Sequence, residues 1–208
     1  MALLDDIISQ VDGVLRTLSG LESAQRKNPA FDSADTQLSE ADREHAAGLM
    51  RVNHTGEICA QALYEGQALV ARDEQTRQAL LTAAKEETDH LVWCDERLQE
   101  LESAPSILNP LFYVASYAMG AATGLMGDKV SLGFVEATED QVCRHLESHL
   151  EDLPEDDVRS RRIVEQMHAD EARHGADAMA AGGVEFPAPV KGLMTLVSRV
   201  MTQTSYRV

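Results

Sequence analysis

A chain of 208 residues is long enough for one domain with a substantial core, burying roughly 70% of the surface its unfolded form exposes. Aromatic residues make up only 4% and there are six prolines, a composition that argues for helices and against sheets. The formal net charge of −17 argues against nucleic acid as a partner.

In chain order, Leu3, Leu4, Ile7, Ile8, Val11, Val14, Leu15 and Leu18 recur at helical spacing and predict a short amphipathic helix over 3–18. A polar connector follows from Ser19 to Gln37. Ser39 then reads as a helix N-cap with an acid three residues on, opening a first long helix to about Val70. A turn near Arg72 and Asp73 leads into a second helix, which runs to about Glu102. A third lies within 110–151 and is too long to be uniform; Gly120, Gly124 and Gly127 mark a break or a close helix crossing. The run from Asp152 through Pro154 to Asp157 predicts the start of a fourth, which ends at Gly182 and Gly183. Val190 to Val208 forms a last amphipathic helix, basic where the rest of the chain is acidic. The expected architecture is all-α: a four-helix bundle over 39–183, with an N-terminal helix and connector over 1–38 and a C-terminal helix over 184–208. Cys59, Cys94 and Cys143 lack metal-binding spacing and fit a reducing compartment. The N-terminus MALLDDIISQ has acids where a secretory signal would carry bases.

The sequence repeats internally. Glu57 is followed by Glu87-Thr88-Asp89-His90, and Glu139 by Glu171-Ala172-Arg173-His174. A Glu and a His at i and i+3 share a helix face and can reach one metal, and one Glu from each of two helices with a Glu-x-x-His from each of two others is a known di-iron bundle pattern. A single Glu-x-x-His means little, and Glu165-Gln166-Met167-His168 also matches, with Glu136 upstream. Height decides between the sets. In an antiparallel hairpin, residues are level when their midpoint falls on the turn. Glu57 and Glu87 centre on residue 72, and Glu139 and Glu171 on 155, both in predicted turns; Glu136 and Glu165 centre several residues early. The six chosen residues also lie on apolar stripes, whereas Glu165 sits one turn from Arg161 and Arg162. Unpaired carboxylates on an apolar face are costly. Four of them carry −4, the charge that two ferrous ions cancel, and carboxylates with imidazole suit iron or manganese.

Glu86 and Asp170, each just before a ligand Glu, are candidates for orienting the ligands. Tyr64 falls on the ligand face, as a pocket residue or an ordinary core aromatic; His54 and His145 are candidates for a place near the site, though lone helical histidines are more often structural; His45, His149 and His168 are expected at the surface. Residues 103–127 carry no charge, yet their prolines and glycines argue against a membrane span. Two readings stand: a buried first half of the third helix, or an apolar surface or channel for a lipid-like substrate. The basic C-terminal helix points to the latter, since such helices lie in membrane interfaces.

The stretch Arg51-Val52-Asn53-His54-Thr55-Gly56-Glu57, with Glu87 to His90, Glu139 and Asp170 to Gly175 in this order and spacing, resembles the demethoxyubiquinone hydroxylases, ferritin-like di-iron monooxygenases of ubiquinone biosynthesis. The resemblance runs from about residue 40 to the C-terminus. It implies the same six metal ligands, two iron ions per chain, and hydroxylation of the demethoxyubiquinol ring, with one oxygen atom of dioxygen entering the ring and the other leaving as water. Electrons would come ultimately from NAD(P)H, for which the chain shows no dinucleotide fingerprint. Some relatives carry His-Tyr where this chain has His145-Leu146. Expected partners are a polyprenyl benzoquinol, dioxygen, a membrane surface and other ubiquinone-biosynthesis proteins; the expected location is peripheral, on the cytoplasmic face of the inner membrane. A ferritin-like iron store is the alternative.

Overall fold

The computed structural model describes residues 16–17, 20–21, 23–34 and 36–208. Apart from residues 16–17, the helix expected over 3–18 lies outside them. Among the described residues the long elements are six helices: α1 (Glu40–Val70), α2 (Glu74–Glu100), α3 (Asn109–Leu125), α4 (Asp128–Asp152), α5 (Val158–Ala180) and α6 (Ala188–Ser205).

Side chains set several of these starts. Ser39 Oγ accepts from Asp42 N at 3.2 Å at the head of α1, and Asp73 caps α2 through Thr76 N at 2.8 Å. Both oxygens of Asp128 accept from the α1–α2 turn, at Arg72 N (3.0 Å) and Asp73 N (2.9 Å). The α5 start falls later than the sequence suggests. Its cap is Asp157, because Oδ1 of that residue takes Ser160 N at 3.0 Å and Arg97 at 2.8 Å, which locks the end of α2 to the head of α5.

α1, α2, α4 and α5 form the bundle. Gln67 bonds Ser131 near one end of α1 and α4, and Asn53 bonds His149 toward the other, so these two run antiparallel. Arg97 on Ser160, with Arg173 on Glu86, shows the same for α2 and α5. The chain therefore goes up and down in one hairpin and down and up in the next. That order leaves the end of α2 and the start of α4 at opposite ends of the bundle. The uncharged stretch bridges them: α3, 17 residues and so roughly 25 Å long, returns the chain along α1. Gly66 and Gly120 allow the close approach, since a Cβ on either would stand 2.2 Å from a backbone oxygen of the facing helix. Gly127, at φ 115°, makes the corner between α3 and α4. The glycines of this region thus serve both purposes, a crossing and a break.

Two apolar clusters fill the bundle. One gathers Met50, Trp93, Leu98, Leu146, Ile163 and Met167; the other Tyr64, Leu80, Leu132, Val135 and Ala178. The candidate ligands lie between them. α6 packs on α1 and α4, anchored by Lys191 on Glu136 (3.2 Å) and by Tyr206 on His45 (2.7 Å).

Candidate metal centre

All six residues singled out by the repeat are buried in the middle of the bundle. Donor atoms of Glu57, Glu87, His90 and Glu171 lie within 4.8 Å of one another. His174 adjoins them: its Nδ1 is 3.2 Å from Glu87 Oε1 and 3.0 Å from Glu171 Oε2. His90 Nδ1 in turn is 3.0 Å from Glu87 Oε2, 3.0 Å from Glu171 Oε1 and 3.4 Å from Glu57 Oε2. Glu87 and Glu171 therefore each offer one oxygen to either histidine, whereas Glu57 belongs to the His90 side. Glu139 completes the His174 side, where Tyr64 donates to it and stands edge-on to the His174 ring at 6.4 Å.

The imidazoles are held alike. Each turns Nδ1 inward and Nε2 outward, and the outer nitrogen donates to an acid from the opposite Glu-x-x-His: His90 to Asp170 at 3.0 Å, His174 to Glu86 at 2.9 Å. A carboxylate only accepts, so Nε2 carries the proton and Nδ1 is the atom left to meet a cation. Glu86 and Asp170 thus each hold the histidine of the other motif, across the bundle from their own.

The electrostatics show how strongly the buried charges act on one another. Burial, with repulsion from Glu171 and Glu87, drives the Glu139 carboxyl well above the usual carboxylate range, and burial does the same to Glu57 against the pull of His90. Burial opposes charge on the histidines too, but the surrounding acids override it; His174 is pushed up to about 12 and His90 is raised well above its ordinary value. Hydrogen bonds from both imidazoles hold Glu87 well below the carboxylate range despite its burial. Without a metal, the cluster must gather protons to offset its own negative charge. The buried Glu139 Oε2 has no hydrogen-bond donor, and Glu87 Oε1 and Glu171 Oε1 face only the inward Nδ1 atoms of His174 (3.2 Å) and His90 (3.0 Å). Buried carboxylate oxygens converging with two inward Nδ1 atoms fit a dinuclear cation site that supplies four positive charges.

The competing set does not assemble. Glu165 is exposed and pairs with Arg162 at 3.2 Å, His168 reaches Glu147 at 3.1 Å, and Glu136 is taken by Lys191. His54 turns to α3, where its Nδ1 meets Asn109 at 3.2 Å, and His145 meets Ser198 of α6 at 3.3 Å. His149 corrects the expectation of a surface position: it is buried, with Nδ1 2.6 Å from Asn53 Oδ1, and burial lowers its pKa to about 4. Sequence reasoning missed Arg26. This residue of the polar connector lies 2.7 Å from both Asp89 and Asp170. A lone arginine in a polar run gives no periodic signal.

Comparison with known proteins agrees with this geometry. Residues 44–205 match the family described as ubiquinone biosynthesis protein COQ7. The chain belongs to this family. It is 56% identical over 206 residues to a 3-demethoxyubiquinol 3-hydroxylase of Ectopseudomonas mendocina (strain ymp), covering 99% of this chain and 96% of the relative. It is 55% identical over 217 residues to the one of Ralstonia pickettii (strain 12J), covering 99% of this chain and all of that protein. Among solved structures, the bacterioferritin-related protein from Bacteroides fragilis, a dodecameric thioferritin, superposes with a TM-score of 0.56 at 16% identity, over 66% of this chain and 84% of that one. That likeness shows that the all-helical fold of this COQ7-family chain is ferritin-like.

Proposed function

We propose that this protein is a 3-demethoxyubiquinol hydroxylase that works through two irons held by Glu57, Glu87, His90, Glu139, Glu171 and His174. The observation that carries the reading is the buried Glu/His cluster, found in a chain more than half identical over its length to relatives of that name. By their distances, Glu57 and His90 would hold metal on one side of the cluster and Glu139 and His174 on the other, with Glu87 and Glu171, each near both histidines, serving both sides. When bound there, a ferrous pair would supply the redox chemistry for dioxygen-dependent hydroxylation of the quinol ring, with one oxygen atom entering the ring, the other leaving as water, and electrons coming ultimately from reduced nicotinamide.

The chain's own residues do the rest. Glu86 and Asp170 fix the tautomer and plane of each imidazole. Tyr64 steadies Glu139 through its hydroxyl, whose own pKa burial and the Glu139 charge raise well above normal, so it stays a donor. The apolar clusters on either side keep bulk water from the cluster.

For the substrate, the same reading takes the molecule to a membrane surface. None of the described helices is long and apolar enough to cross a membrane. α3 and α6 both lie against α1 and α4, and each exposes an apolar row: Leu111, Val114 and Leu125 on one, Leu193, Leu196, Val197 and Val200 on the other. Arg51 clips the approach to α3 to the end of α6, donating to Ser103 Oγ (2.6 Å), Ala104 O (2.9 Å) and Tyr206 O (2.8 Å). Such a face suits peripheral attachment beside the lipid that carries a polyprenyl quinol. In domain terms, 39–183 would be the catalytic bundle and 184–208 the attachment helix.

The test is turnover of demethoxyubiquinol by the iron-loaded protein under ¹⁸O₂. The expected product carries one labelled ring hydroxyl. A protein that leaves the quinol untouched and lays down many irons per chain as mineral would overturn the reading.

A further inference from the structure

The two halves of the cluster are alike in their ligands but not in what stands behind them. His174 is supported from within the bundle: its partner Glu86 on α2 is held by Arg173 on α5 at 2.7 Å. His90 is supported through Asp170, and Asp170 Oδ2, the oxygen that accepts from His90 Nε2, also takes the Arg26 guanidinium at 2.7 Å. Arg26 belongs to no bundle helix. It comes from the segment before α1, which Asp89 pins by accepting from Gln25 N at 2.6 Å and from Arg26 Nε at 2.7 Å. The guanidinium carbon stands 4.8 Å from the Trp93 ring centre, and that ring is 5.4 Å from His90. The third guanidinium nitrogen, Nη2, lies 3.3 Å from His90 Nε2. One planar fork thus joins Asp89, Asp170 and Trp93 around the outer edge of a single imidazole.

The geometry points to Arg26 as a positioning residue for the metal held by His90, delivered by the segment ahead of the bundle. This inference rests on the six-residue ligand set. Its reason lies in the competition for Asp170. The other oxygen, Oδ1, already accepts from Gln166 Nε2 and Arg173, each at 3.3 Å. Without the hold of Arg26 on Asp89 and Oδ2, the carboxylate is free to turn toward these neighbours and away from His90. The imidazole then loses the acceptor that sets its plane. The acceptor of His174 depends instead on Arg173, which the bundle itself supplies. Arg26 is the more exposed member of the contact, 37% against 8% for Asp170, so the outer wall of the His90 half is a side chain that the preceding segment brings. A lysine could not replace it, because an ammonium is a single point and cannot grip two carboxylates as a fork does.

The experiment compares metal binding and Mössbauer spectra of full-length wild-type, Arg26→Gln, Arg26→Lys and Asn28→Ala proteins loaded with ⁵⁷Fe(II). Asn28 holds the same segment to Glu96 at 2.7 Å but touches neither Asp170 nor His90. Arg26→Gln is expected to weaken one of the two irons about 10- to 100-fold and to change one ferrous quadrupole doublet while the other stays. Arg26→Lys is expected to weaken the same iron, and Asn28→Ala to leave both as in wild type. Two unshifted irons in Arg26→Gln overturn the inference, as does an equal loss of both irons in Arg26→Gln and Asn28→Ala, which would make the segment merely structural. Should the Gln variant fail to fold, the Lys variant decides by the same readout: one weakened iron supports the inference and two unchanged irons overturn it. A wild-type protein that takes up no metal would overturn the ligand set itself and this inference with it, whereas two irons in wild type with no shift in the Arg26 variants overturn this inference alone.

Discussion

Helix α5 carries two Glu-x-x-His sequences six residues apart, and they share nothing but spelling. Glu171 and His174 lie in the bundle interior, 3.0 Å apart and facing acids from α2. Glu165 and His168 point outward, toward Arg162 and Glu147. Six residues is 600° of helical rotation, so the second motif is turned by about 120° from the first. Face and height give a short motif its chemistry, and residue spacing alone does not.

That contrast can be broken by mutation. The largest effect is expected from Glu171→Ala and His90→Ala, which should each reduce iron affinity more than about 100-fold, beyond what loss of an outer hydrogen bond costs. Iron retained at two per chain in either would place the metal elsewhere. A smaller loss, about 10- to 100-fold, is expected from Glu86→Gln, because His174 keeps its place in the cluster but loses its charged acceptor; metal competition titration measures it.

A third test concerns a histidine expected at the surface. His149 is neutral and buried, with its pKa at about 4 against an ordinary 6.5. Between those values the unfolded chain binds a proton that the native one does not, so stability rises with pH through this window and is lost as pH falls. Denaturant unfolding at pH 7 and pH 5 should show wild type losing roughly 2 kcal/mol more than His149→Gln, whose amide can still donate to Asn53. His54, also lowered to about 4 by burial, contributes with the same sign and stays in both proteins. Equal losses would contradict the buried placement. The smallest effect belongs to Glu165→Ala and His168→Ala, expected to leave iron content unchanged and stability within about 0.5 kcal/mol.

Much of the centre could be read from the sequence because helices impose it. Glu87 with His90, and Glu171 with His174, share a face by the period alone, and the midpoints of the two hairpins predicted which acids stand level. The structure brings those six side chains together. What the sequence concealed depended on contacts between distant segments. Arg26 acquires its role only when residues 25–26 dock on Asp89. His149 is buried by Asn53 on another helix, which helical spacing within α4 does not encode. Gly120, Gly124 and Gly127 suggested a break or a crossing; α3 became a separate helix because the hairpin order requires a return path and Gly66 and Gly120 let it lie against α1. The choice of Asp157 as the α5 cap, among the acids after Pro154, was made by Arg97 from α2.

The central claim, that the buried acids and histidines hold two irons, is tested most directly by anomalous diffraction at the iron edge from crystals of the iron-loaded protein. The account predicts two peaks in the bundle interior, both touching Glu87 and Glu171, one beside Glu57 and His90 and the other beside Glu139 and His174. A single peak, or density at Glu165 and His168 with the interior empty, would contradict it.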